Sequence, residues 1–135
     1  MVLVGAGRDD TPHVATRLAD KLVGLRYFED AAGRTNLDLA SAAGELLVVS
    51  QFTLYADVRH GRRPGFTDAA LPDDAAPLVH AFAARLHEQG ARVATGRFRA
   101  AMEVELVNDG PFTLVLDSER DLGLPGGGDA APATR

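Results

Sequence analysis

The chain has 135 residues and a net charge of −5 at pH 7, which fits one domain burying roughly two-thirds of its unfolded surface without a metal or disulfide. It contains no cysteine, which excludes structural disulfides and thiolate zinc sites, and no run approaches the roughly 20 apolar residues of a membrane span. The acidic balance argues against a general nucleic-acid coat protein but not against local RNA binding, and no basic segment followed by an apolar core opens the chain, so a cytoplasmic, membrane-free protein is expected.

Met1 to Val4 is apolar and stops at Gly5, which reads as the tail of a strand. Thr11-Pro12 then opens a helix, with Thr11 as N-cap and Pro12 at the first helical position. Val14, Leu18, Leu22 and Leu25 follow at helical spacing, and Gly24 suits a left-handed cap at its end. Arg26 to Phe28 and Asn36 to Leu39 read as short strands, separated by the turn residues Asp30-Ala31-Ala32-Gly33. Glu45 to Leu54 is expected to be one strand, buried on both faces because Leu46, Leu47, Val48 and Val49 stand in a row.

Tyr55 to Pro72 lacks periodicity and reads as a long surface loop, a class that is often functional. Asp73 or Asp74 is expected to cap a second helix whose core face carries Leu78, Val79, Phe82 and Leu86. Ala91 to Thr95 reads as a strand, Met102, Val104 and Leu106 alternate as in a half-exposed strand, and Phe112 to Leu116 continues after a turn at 108–111. Residues 118–135 are expected to form a disordered tail, leaving one domain over 1–117. Two helices and about six short strands in mixed order predict an α+β domain.

Little conventional chemistry stands out. His80 and His87 flank one helix face with no third ligand, and His13 lies in a first turn, so no metal site is expected. Ser50 and Thr53 are possible nucleophiles, but no histidine or carboxylate is matched to either and no nucleophile elbow surrounds Ser50. His60 stands among Arg59, Arg62 and Arg63. The cluster is either a solvated loop or a phosphate clamp for an RNA end; three single-strand contacts would give a salt slope near about −2. Thirteen of the 14 basic residues are arginine, Lys21 being the exception, which codon bias explains as readily as phosphate binding, although the planar arginine fork suits phosphate. Asp109-Gly110-Pro111 suits a tight turn. It also suits a loop whose successive carbonyls point the same way, as a cis bond before Pro111 would arrange.

Read together, Ser50-Gln51-Phe52-Thr53-Leu54 and Asn108-Asp109-Gly110-Pro111-Phe112-Thr113 resemble the paired signature of the D-aminoacyl-tRNA deacylases. Arg62-Arg63-Pro64-Gly65-Phe66 is similar to that family's Arg-Pro-Ser-Phe loop, with Gly65 in place of serine. Thr95-Gly96-Arg97-Phe98 and the run from Ala101 to Pro111 resemble its approach to the second motif, with Phe112 where valine is usual. The likeness runs from about Val2 to Leu116. It implies a barrel-like core of mostly antiparallel sheets with two main helices packed outside. It further implies hydrolysis of D-aminoacyl-tRNA, and leakage of glycyl-tRNA, by a cofactor-free homodimer. Ser50, Gln51, Phe52 and Thr53 would line the ester; Gly110 and Pro111 would enter the partner subunit's pocket and select chirality; Arg59, Arg62 and Arg63 would touch tRNA. It also carries the expectation that about 28 residues, an opening pair of strands, precede Met1 in the full protein, whose absence would expose a sheet edge. A non-catalytic RNA-end binding module and an inactive truncated paralogue are the alternatives.

Overall fold

The computed structural model describes residues 1–125. Strand β1 (Val2–Val4) leads into helix α1 (Pro12–Gly24), the strand pair β2 (Phe28–Glu29) and β3 (Thr35–Leu37), and then strand β4 (Glu45–Ser50). A 3-10 turn (Phe52–Tyr55) and a loop precede helix α2 (Pro72–Glu88), strand β5 (Arg92–Thr95) and the short helix α3 (Ser118–Leu122). The domain is α+β, as the sequence predicts.

The main sheet differs from the expectation. Its order is β1-β4-β5 and both pairings are parallel: Val2 opposite Val48, and Leu46 opposite Val93. Only β2 and β3 run antiparallel, and no closed barrel forms among the described residues. The cause is connectivity. A helix intervenes between β1 and β4 and again between β4 and β5, and such a crossover returns the chain to start the next strand in the same direction.

Helix α1 begins as its sequence dictates. The Thr11 Oγ1 accepts from the Val14 N–H at 3.3 Å, and Pro12 occupies the first turn, where its missing donor costs nothing. Its end contains no left-handed residue: Leu25 caps it in an extended conformation. Helix α2 starts earlier than expected: its cap is Leu71, which offers no side-chain bond, and not Asp73 or Asp74. Asp73 and Asp74 lie inside the first turn, where their charge favours the positive helix end.

Both helices cover one face of the sheet. Ala19 of α1, Phe82 and Leu86 of α2, Leu46 and Val48 of β4, and Leu39 form the buried core. Arg85 bridges the helices to Asp20, its Nε 2.7 Å from Oδ1. The opposite face is only partly covered: Leu47 is exposed while Val49 is buried, so β4 is not buried on both sides. It is also shorter than expected, ending at Ser50 and giving way to the 3-10 turn.

Residues 102–106 and 112–116, expected as strands, pair with no neighbour. Their alternation was legible, but a strand also needs a partner edge, and the described chain lays none beside them. Ser118–Leu122, expected as part of the tail, is a helix capped by Asp117, whose carboxylate accepts from the Glu119 and Arg120 N–H groups. Residues 126–135 of the expected tail lie outside the described residues.

Leu86 is fully buried between helix and sheet. Leu86→Ala is expected to destabilise the fold by about 2–5 kcal/mol, read as a lower denaturant midpoint at unchanged slope.

Candidate active site

Parallel strands end at one edge of a sheet, and here that edge carries the first motif. β1 ends at Val4 and β4 at Ser50, and the Gln51 N–H donates to the Val4 carbonyl at 2.7 Å. The chain then turns sharply. Leu54 N–H bonds to the Gln51 carbonyl at 3.3 Å and Ala56 N–H to that of Thr53 at 3.1 Å. Phe52 and Thr53 therefore open the turn, and the first N–H groups of a helical turn have no acceptor within it. Both side chains are exposed. The Gln51 side-chain amide donates to the Thr53 hydroxyl, which ties the two motif residues together.

Gly5 permits this close approach. A methyl group there would stand 3.1 Å from the Tyr55 ring and 3.2 Å from the Gln51 carbonyl, tighter than such contacts normally run. Tyr55 is itself anchored: its hydroxyl lies 3.4 Å from Asp10 Oδ2, which also accepts the Gly7 N–H at 2.7 Å. Asp10 Oδ1 is buried without a partner. Burial raises the Asp10 carboxyl above its usual range, and burial followed by the nearby Asp10 charge pushes the Tyr55 phenol up.

Ser50, Gln51 and Phe52 line a cavity of about 800 Å³, together with Leu3, Phe66, Phe98, Met102, Val104 and Leu106. Phe52 and Phe66 meet edge to face with ring centroids 5.0 Å apart. The lining holds no histidine, aspartate or glutamate; its charged members are Arg8 and Arg99. Thr53 does not line it. Such a cavity can bind an apolar or aromatic group and offer backbone N–H donors, but it contains no general base to activate a hydroxyl. No group of three or more metal-binding side chains occurs among the described residues.

Gly110 and Pro111 stand apart from the Ser50 cavity and do not line it. The bond between them is cis. Gly110 is required by local sterics: a methyl group would overlap the Phe112 backbone nitrogen and lie 3.0 Å from Phe112 Cβ. Phe112 is exposed and lines neither the Ser50 cavity nor its neighbour beside Tyr55.

The arginine loop divides. Asp57 and Gly65 pair across it through two backbone bonds of 2.8 Å. Arg59 is committed to Asp57, with its Nε 2.9 Å from Oδ1 and its Nη2 3.0 Å from Oδ2. Arg62 and Arg63 are exposed and make no ion pair among the described residues. Of the residues that the sequence singled out, Ser50, Gln51 and Phe52 line the cavity and Thr53 does not, while Tyr55, Asp10, Arg8 and Arg99 carried no sequence signal. Only Gly5, directly after an apolar run, left a readable mark.

The Arg59 side chain, then its N–H, hold the Asp57 carboxyl down at about 2 from an ordinary 3.8. The folded value lies below the unfolded one, so this pairing supports the loop above the ordinary range and fades as pH falls toward about 2. A carboxyl-carbon NMR titration should place the Asp57 midpoint near about 2, and Arg59→Ala should move it toward 3.8.

The family model described as D-Tyr-tRNA(Tyr) deacylase matches residues 1–117. A D-aminoacyl-tRNA deacylase of Anaeromyxobacter dehalogenans is 58% identical over 89% of this chain and 80% of its own length. The one of Thermotoga petrophila is 54% identical over the same shares. Among solved structures, the c-Myc DNA unwinding element binding protein superposes with a TM-score of 0.76 at 33% identity, over 83% of this chain and 76% of that one. A probable eukaryotic D-amino acid tRNA deacylase shares the fold, with a TM-score of 0.64 at 18% identity over 75% of each chain. With a matched span that contains both motifs, the turn at Ser50–Thr53 and the loop at Gly110–Pro111, this chain belongs to the D-Tyr-tRNA(Tyr) deacylase family.

Proposed function

We propose that this protein hydrolyses the ester between a D-amino acid and the 3′-terminal adenosine of tRNA, releasing both and sparing the L-aminoacyl form. The observation that carries the reading is the extended identity to D-aminoacyl-tRNA deacylases across both motifs. A purely binding module is not favoured, because it gives no reason for the Gly110-Pro111 loop.

The reaction needs an electrophilic site more than a nucleophile. As the ester carbonyl is attacked, charge gathers on its oxygen. In this reading the Phe52 and Thr53 N–H groups, left open at the start of the turn, receive it. One such donor is typically worth about 3–4 kcal/mol in the transition state. The attacking water, or the terminal 2′-hydroxyl of the RNA, comes with the substrate. That accounts for a cavity lined by no acid–base side chain.

Chirality is assigned to the Gly110 and Pro111 carbonyls. In this reading the protein is a homodimer, and the loop of one subunit reaches the Ser50 cavity of the other, consistent with its separation from the cavity of its own chain. The two carbonyls hold the substrate ammonium; an L side chain collides with them and a D side chain points away. Exclusion of this kind rejects by repulsion, not by weaker attraction. Glycine has nothing to exclude, so glycyl-tRNA is also hydrolysed. Residues 1–117 are the catalytic domain, and Arg62 and Arg63 are the loop's contacts to tRNA, with Arg59 bound to Asp57. No helix among the described residues is long and apolar enough to cross a membrane, which agrees with a role beside the translation machinery in the cytoplasm.

Three outcomes are expected. D-tyrosyl-tRNA is deacylated and L-tyrosyl-tRNA is spared; equal rates on the two would overturn the exclusion account. Ser50→Ala and Thr53→Ala each keep measurable turnover, and trapping an aminoacyl-enzyme ester on either hydroxyl would refute a backbone-only site. Gly110→Ala lowers kcat/KM by about 10²-fold with its unfolding transition kept, because the added methyl group must displace the loop backbone.

A further inference from the structure

The Ser50 cavity carries two arginines that the sequence motifs do not include. Arg8 and Arg99 line it from separate segments, the connection after β1 and the turn after β5. Neither makes an ion pair among the described residues, whereas Arg34, Arg59, Arg85, Arg92 and Arg120 each have a carboxylate partner. No acidic side chain lines the cavity to neutralise them. A positive site with no internal counter-ion raises the local concentration of anions.

Both arginines are held by backbone that is already fixed. The Arg8 N–H donates to the Asp68 carbonyl at 3.1 Å, and its neighbour Gly7 bridges to Ala69 and donates to Asp10 Oδ2 at 2.7 Å. Arg99 sits in a turn closed by the Ala100 N–H on the Arg97 carbonyl at 3.2 Å, with φ of 61°. That left-handed conformation is uncommon outside glycine and asparagine, and such outliers gather at functional sites. A glycine would suit the turn better; an arginine stands there, and it lines the cavity.

We propose that Arg8 and Arg99 form a phosphodiester-binding subsite that grips the single-stranded 3′ end of the tRNA beside the reacting ester. This rests on the deacylase reading for the identity of the ligand and deepens it. The guanidinium fork matches the geometry of a phosphate. The ligand's chemistry also fits a site that holds both: a nucleotide joined at its 3′ end to an amino acid carries its phosphate at the other side of the same ribose. The subsite binds ground and transition states alike, so it acts on affinity and not on the chemical step.

The test uses the full chain with deacylated tRNA, and adenosine as a phosphate-free probe. Binding is followed across a range of salt, and deacylation of D-tyrosyl-tRNA is measured in parallel. Arg8→Gln and Arg99→Gln should each weaken tRNA binding at low salt. Each should reduce the slope of log K against log salt by about 0.7. Each should raise KM with kcat within about twofold of wild type, the mark of uniform binding lost. Arg99→Lys should keep the slope because the charge remains, and adenosine binding should not change. Arg17→Gln, an exposed charge on α1, is the control for net charge. An unchanged slope in both cavity variants, or an equal loss in Arg17→Gln, overturns the subsite. A wild type that binds tRNA with these slopes yet deacylates nothing would sink the deacylase reading and leave the subsite standing.

Discussion

The Gln51 N–H meets the Val4 carbonyl at 2.7 Å, just past the last paired residues of β1 and β4, and the geometry of the whole site follows from that bond. It fixes where the ladder stops and where the chain must turn. Gly5 then lets the turn press against the strand, and Tyr55 closes it against Asp10. The Phe52 and Thr53 N–H groups, first in that turn, are left without an acceptor inside it. In water such donors would be solvated and unremarkable. Next to an apolar cavity that Phe52 lines, a donor already fixed in a turn needs little reorganisation to meet a developing charge.

The cavity's composition sorts the possible chemistries. A hydroxyl nucleophile needs a base within hydrogen-bond reach, and this lining sets the Ser50 hydroxyl among aromatic and aliphatic groups, an amide and two arginines, with no histidine or carboxylate. Under the proposed deacylase reading, the protein supplies orientation, donors and positive charge, and the substrate brings the nucleophile. The Thr53 hydroxyl points in the same direction, since it already accepts from the Gln51 amide and serves the turn. The arginines sort likewise. Arg59, prominent in the sequence, spends its charge on Asp57, whereas Arg8 and Arg99, inconspicuous there, face the cavity.

The elements that the sequence located well were those governed by neighbours in the chain. The Thr11-Pro12 start of α1 depends on a side chain reaching three residues ahead, and the core face of α2 on a period of 3.6 residues, which buries Leu78, Phe82 and Leu86. Strand direction is different. Val2–Val4 and Glu45–Ser50 would read the same in either orientation, and the helix between them makes the pairing parallel. The alternation at Met102, Val104 and Leu106 marked an extended segment correctly, but pairing is a property of two segments, and these residues have no partner strand.

By itself, the sequence determined the α+β class, the capped start of α1, the absence of thiol chemistry and the two motifs that mark the family, because each is written in local spacing or residue type. Tertiary structure decided what those motifs become. It brought Ser50–Phe52 into a cavity with Leu3, Phe98 and Met102 and left Gly110–Pro111 outside it. It bent Phe52 and Thr53 out of the strand they extend in sequence, and it put Arg8 and Arg99, from opposite ends of the domain sequence, on the lining of one cavity. No local pattern encodes such meetings, because they are set by the direction in which the crossover helices return the chain.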